Sequence, residues 1–162
     1  MGLLPRLAVF LKTWPAEAEI LGDMTQPTTA STVTLTLGWV IAYVSEPVAA
    51  SDFYAATFGL TQEFAAPDGS YAQLDTGATK LAFASYALAD DNFPGGVRRP
   101  EGDGPPANVE IALIADDVDA AYATALAAGC TSLAAPADKP HGQRVAYVRD
   151  PFQTLVELGT PI

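Results

Sequence analysis

Basic residues are scarce in this chain. Eight Lys and Arg stand against nineteen Asp and Glu among 162 residues, leaving a formal charge of −11 and a pI near 4.2. That balance is the opposite of the basic footprint a phosphate backbone demands, so nucleic acid is excluded as a partner while neutral or cationic small molecules remain open. There is one cysteine, Cys130, which cannot form an intrachain disulfide, and one histidine, His141, which cannot build an imidazole-rich metal site alone. The expectation is a reducing, cytoplasmic setting. No stretch reaches the ~18 uninterrupted apolar residues of a membrane helix. The apolar run Leu7–Leu11 is shorter than the ~7–15 residues of a signal core and is broken by Lys12, so we expect neither membrane insertion nor secretion. Hydrophobic residues, by contrast, are plentiful at 49%, enough for one domain to repay its chain entropy.

Residues 1–33 lack a clear pattern: Pro5, Pro15 and Gly22 break any long helix, and Met24 opens a polar run, so we expect a dispensable leader. From residue 34 the pattern sharpens. Thr34–Val44 is β-branched and apolar, a strand; Pro47 opens an Ala-rich helix that stops at Gly59; three short strands follow at 60–66, 71–76 and 79–86, separated by Pro67-Asp68-Gly69 and by Gly77. Residues 87–107 are rich in Gly and Pro and are expected to form an irregular loop. The order then restarts: a strand at 108–115, Asp116 or Asp117 as a helix cap, a helix at 118–128 closed by Gly129, then strands at 130–135, 143–149 and 154–159. The fold class is therefore α+β, a single domain at 34–162 made of two βαβββ modules, 34–86 and 108–160.

Superimposing the halves makes the repeat explicit. Val44–Ala50 meets Ala115–Ala121 at an offset of 71, which places Trp39 on Glu110; Asp75–Phe83 meets Asp150–Leu158 at an offset of 75, which places Ala82 on Glu157. The stretches Trp39–Val44, Phe53-Tyr54 before Phe58-Gly59-Leu60, Asp116–Ala121 through Ala127-Ala128-Gly129, Gly142–Pro151 and Leu155–Leu158 together resemble the vicinal oxygen chelate proteins, the group of glyoxalase I, extradiol dioxygenases and bleomycin-resistance proteins. Phe152-Gln153 departs from the Asp-Gly common in that family after Asp-Pro. The resemblance implies two sheets around a central concavity, with up to four metal ligands on the first and fourth strands of each module. Carried over, those positions are Trp39, Ala82, Glu110 and Glu157. An indole and a methyl group offer a cation no lone pair, so we expect no metal and no other cofactor.

Strand alternation then puts Trp39, Ile41 and Tyr43 on the concave side, with Ala82, Ala84 and Tyr86 opposite and Glu110 and Glu157 nearby. An aromatic and acidic cup suits a planar or cationic small molecule, which resembles the strategy of the bleomycin-resistance branch, whose dimeric members sequester a cationic drug unaltered. The expectation is a homodimeric, metal-free binding protein with Trp39, Tyr43, Ala82, Tyr86, Glu110 and Glu157 as its ligand contacts. The alternatives are a lyase, isomerase or dioxygenase relative using Glu110 or Glu157 as a base, and an assembly module with a vestigial cup. Glu110 and Glu157 have a plainer explanation too, as partners of Arg144 or Arg149. His141 reads as a solvated turn residue, Cys130 as a small buried one, and Arg98-Arg99 as a solvated loop pair or a clasp for an anion.

Overall fold

The computed structural model describes residues 34–162 apart from 101, 103 and 107; the expectations about residues 1–33 lie outside the described residues. Residues Thr36–Ile162 form one compact unit. Its first module comprises β1 (Trp39–Val44), α1 (Pro47–Phe58), β2 (Thr61–Ala65), β3 (Tyr71–Asp75) and β4 (Lys80–Ser85). A connecting helix, α2 (Tyr86–Asn92), leads to β5 (Glu110–Ile114), α3 (Val118–Ala127), β6 (Thr131–Asp138), β7 (Arg144–Arg149) and β8 (Leu155–Gly159). Each module is a four-stranded sheet, ordered β1-β4-β3-β2 and β5-β8-β7-β6, whose first and last strands pair in parallel. The paired βαβββ architecture is thus as the repeat predicts.

Local chemistry explains the helix ends. Pro47 occupies the first turn of α1, where its missing N–H costs nothing, and Gly59 ends the helix at φ 71, a left-handed conformation that glycine adopts without strain. Asp117 caps α3 by accepting from the Ala120 amide at 2.9 Å. One expectation fails: the start of the 87–107 segment is helical. The Ser85 hydroxyl accepts from the Leu88 amide at 3.1 Å, Ala87-Leu88-Ala89 are good helix formers, and Ala89 is buried; the irregular composition takes over only at Phe93, before Pro94. Two strands also begin later than expected, β1 at Trp39 and β5 at Glu110, while β6 runs on to Asp138 through Pro136, which an edge strand with register shifts can accommodate.

The core lies on the helix-bearing side of both sheets. Val44, Leu74, Leu81 and Phe83 from the first module and Ala146, Val148, Val156 and Leu158 from the second are buried in one cluster with Tyr54, Val118 and Cys130. Burying a side chain as large as Phe83 contributes about 1.5–3 kcal/mol. Cys130 is the small buried residue expected, and burial pushes its thiol up to about 11, which leaves it inert near neutral pH. Helix α1 packs on α3, and no strand of one sheet pairs with a strand of the other. Beside this helix contact, the Tyr54 hydroxyl donates to Asp150 at 2.9 Å and the Phe53 and Phe152 rings meet edge to face at 6.0 Å. Because both helix-bearing faces look into the shared core, the opposite face of each sheet looks out of it.

Candidate functional site

The outward face of the first sheet is aromatic. Ala42, Val44, Leu81 and Phe83 point to the core, so period-two alternation places Trp39, Ile41, Tyr43, Lys80, Ala82 and Ala84 on the other side. The β3 register, with Gln73 opposite Ala82 and Tyr71 opposite Ala84, adds Tyr71 and Gln73 to that face, and Phe64 opposite Gln73 adds a third strand. Trp39 is 55% exposed, Ile41 43% and Phe64 51%, unusual for large apolar side chains clustered on one face. Ala82, in the middle, is fully buried.

Gln73 organises this face. Its Oε1 accepts from the Trp39 indole at 2.7 Å and from the Tyr71 hydroxyl at 3.0 Å, and its amide donates to Glu63 at 2.7 Å. Glu63 in turn pairs with Lys80 at 3.2 Å, and Lys80 also binds Asp75 at 2.5 Å; that hydrogen bond holds the Asp75 carboxyl below the usual range. The indole N–H is therefore spent within the protein, and what Trp39 presents outward is its π-face. Gln73→Leu should leave thermal stability within about 1 kcal/mol, since the group is at the surface, yet lower the steady-state fluorescence anisotropy of Trp39 measured in a Trp14→Phe background. Unchanged anisotropy would show that packing, not Gln73, fixes the indole.

The outward face of the second sheet is acidic. Ile111, Leu113, Val156 and Leu158 point to the core, so Glu110, Ala112 and Ile114 on β5 and Leu155 and Glu157 on β8 point away, joined by Tyr147 and Arg149 on β7. The Tyr147 hydroxyl donates to Glu157 at 2.5 Å, and that bond, followed by burial and by the charges of Glu157 and Glu110, pushes the phenol up to about 12. Glu157 thus holds the phenol, and Glu110 adds negative charge on the same face. Neither pairs with Arg144 or Arg149: Arg144 binds Asp119 at 2.6 and 2.8 Å and Asp138 at 3.0 Å, while Arg149 donates to the carbonyls of Gly102 and Gly104. Glu110 is exposed rather than enclosed in apolar strand, so it needs no partner.

The sequence-derived cup is accordingly split. Trp39, Tyr43 and Ala82 share the first face, and Glu110 and Glu157 share the second, but within one chain α1 and α3 stand between the two sheets and the faces do not meet. Tyr86 belongs to neither: the Ser85 cap turns the chain into α2 and removes it from strand alternation, and the Arg99 guanidinium lies 5.1 Å above its ring. Tyr43 is instead covered at its edge by Phe93, 6.3 Å away. Gln73 and Tyr147 are the residues that sequence reasoning missed; the alternation Tyr71-x-Gln73 opposite Ala82, and Tyr147 opposite Glu157, was the available signal. His141 is exposed and contacts Gln143 at 3.0 Å.

The family model for the glyoxalase/bleomycin resistance protein/dioxygenase superfamily matches residues 36–158. The chain belongs to that superfamily. No curated protein matches its sequence. Solved structures similar to this superfamily member include a glyoxalase-related enzyme from Fulvimarina pelagi (19% identity, 79% of this chain and 89% of that one, TM-score 0.67). A superfamily member from Sphaerobacter thermophilus is 25% identical over 79% of this chain and 98% of that one, with a TM-score of 0.60. Lactoylglutathione lyase from Agrobacterium tumefaciens is 22% identical over 79% and 95%, with a TM-score of 0.58. Within the superfamily the first and fourth strands can carry metal ligands, and here the donor set does not fit one. Trp39 has no lone pair and its N–H is engaged, Ala82 is a methyl, and Glu157 is held by Tyr147; among the described residues no group of three His, Cys, Asp or Glu can hold an ion. No helix among the described residues is long and apolar enough to cross a membrane.

Proposed function

We propose that this protein binds a planar, cationic small molecule without a metal, in a cup that two copies of the chain build together. The observation that carries this reading is the division of labour between the two outward faces: one offers an indole and tyrosines, the other two carboxylates, one of them bound to a phenol, and one chain keeps them apart. Pairing the first face of one copy with the second face of its partner brings stacking surface and negative charge to the same ligand. The apolar exposure of Ile41, Phe64 and Ile114 supports the same pairing. In this reading the protein resembles the bleomycin-resistance branch and sequesters its ligand unchanged.

A planar aromatic cation such as ethidium or acriflavine should quench Trp39 fluorescence in the Trp14→Phe protein. Glu157→Gln should weaken binding about tenfold or more, since a charge-assisted hydrogen bond contributes roughly 1.5–3 kcal/mol. Equal affinity of Glu110→Gln, Glu157→Gln and parent across a panel of such cations would overturn the acidic half of the cup.

A second reading, catalysis with Glu157 as base, draws on one feature: among the described residues its Oε2 holds the Tyr147 hydroxyl while Oε1 accepts no hydrogen bond. Recovery of bound ligand unchanged, by mass spectrometry after prolonged incubation, separates the two.

A further inference from the structure

The acidic face already holds an ammonium group of its own. Lys139, one of three lysines in the chain, opens the turn between β6 and β7 and carries its Nζ 5.7 Å from the centre of the Tyr147 ring.

The hairpin decides which side of the sheet this lysine takes. Asp138 pairs with Arg144, whose guanidinium reaches Asp119 of α3 on the helix-bearing side, so the next residue along falls on the opposite, outward side. The turn is closed by its own backbone: the Lys139 amide donates to the Gln143 carbonyl at 2.7 Å and the Gly142 amide to the Lys139 carbonyl at 2.9 Å. Pro140 stiffens it further. What draws the ammonium to Tyr147 is the ring, because no ion pair joins Lys139 to Glu110 or Glu157. The ring is the one whose hydroxyl Glu157 accepts, so ammonium, π-face and carboxylate stand in one row. With its own side chain the protein already makes the contact that this face offers to a bound cation.

We infer, on the reading of the cup given above, that Lys139 is a tethered occupant of the cation position and that a ligand must displace it. Lys139 thereby sets the class of cation that the cup accepts. Exchanging one alkylammonium for another gains nothing at Tyr147 and gives up the tether, which holds the lysine at an effective concentration of the order of millimolar. A cation that carries a planar ring system recovers this loss through stacking area on the Trp39 indole, which an alkylammonium lacks. The cup therefore takes arylated cations and passes over simple amines.

The test follows the lysine. Reductive ¹³C-methylation keeps the charge of every lysine and gives each a methyl resonance, and Lys139→Arg identifies the resonance of Lys139. In the free protein it should lie upfield of an unstructured lysine, under the Tyr147 ring current, and Tyr147→Leu should abolish that displacement. Saturating ethidium should return it to the unstructured position, while n-butylammonium at the same concentration leaves it in place. Lys139→Gln, a change at the surface of a turn, should bind ethidium about three- to sixfold more tightly, the factor by which an exposed cation–π contact holds the position closed. Three results would overturn the proposal and leave the cup standing: an unshifted Lys139 resonance in the free protein, one that stays put while ethidium binds, or one displaced equally by n-butylammonium. Failure of the parent to bind ethidium or any other planar cation would overturn the cup and the tethered lysine together.

Discussion

Asp150→Ala should lower the melting temperature by about 10–15 °C, the largest effect of any single substitution considered for this fold. One carboxylate oxygen of Asp150 accepts from the Phe152 and Thr154 amides at 2.9 and 2.7 Å and the other from the Tyr54 hydroxyl at 2.9 Å, all around a side chain that is 2% exposed. Burial raises the Asp150 carboxyl above its ordinary value and these three bonds only partly offset that rise, so desolvation works against the charged group. Each charge-assisted bond is worth about 1.5–3 kcal/mol, and after that opposing cost the net loss on truncation is about 3–4 kcal/mol. For a domain of this size each kcal/mol moves the midpoint by roughly 3–4 °C. Tyr54→Phe removes one bond and should cost about 1–2 kcal/mol. A midpoint for Asp150→Ala within 3 °C of the parent by calorimetry would mean that the α1–α3 contact holds the modules together without this link.

The second large effect concerns assembly. The protein should sediment as a dimer at micromolar concentration, and Ile41→Asp should raise the dimer dissociation constant about a hundredfold or more. Ile41 lies on the edge strand β1, on the first outward face, and is 43% exposed in one chain, so the substitution costs the isolated fold little. Burying its charge without a partner against a face that already carries Glu110 and Glu157 costs several kcal/mol, and about 2.7 kcal/mol is already a hundredfold. Ile114→Lys, on the opposite partner surface, should act likewise. A parent protein that is monomeric at 100 µM by sedimentation equilibrium would overturn the shared cup.

Much of this arrangement is legible in the residues alone. The offsets of 71 and 75 reveal the repeat, Pro47, Gly59 and Asp117 mark the helix ends, and alternation along Trp39–Val44 and Leu155–Gly159 separates outward from inward side chains. What escapes is whatever depends on a single side chain redirecting the backbone or on two distant elements meeting. Ser85 turns a strand into a helix and takes Tyr86 with it, a local decision of one hydroxyl. The separation of Trp39 from Glu157 follows from α1 lying on α3, a contact between residues some seventy positions apart that no window of sequence displays. Gln73 escapes for a different reason: it lies on the third strand, outside the ligand positions that the family resemblance brings forward, although its pairing with Ala82 places it beside them.

Because α1 and α3 hold the two outward faces of a chain apart, each complete cup in the proposed dimer takes one wall from each molecule. Ligand binding and self-association then become a single linked equilibrium. Dilution dismantles the pocket before it unfolds the protein, and a ligand that bridges both walls tightens the pairing of the chains that hold it. Apparent affinity therefore rises with the concentration of the binder itself, so that capture is weak when the protein is sparse and becomes efficient once enough of it has accumulated.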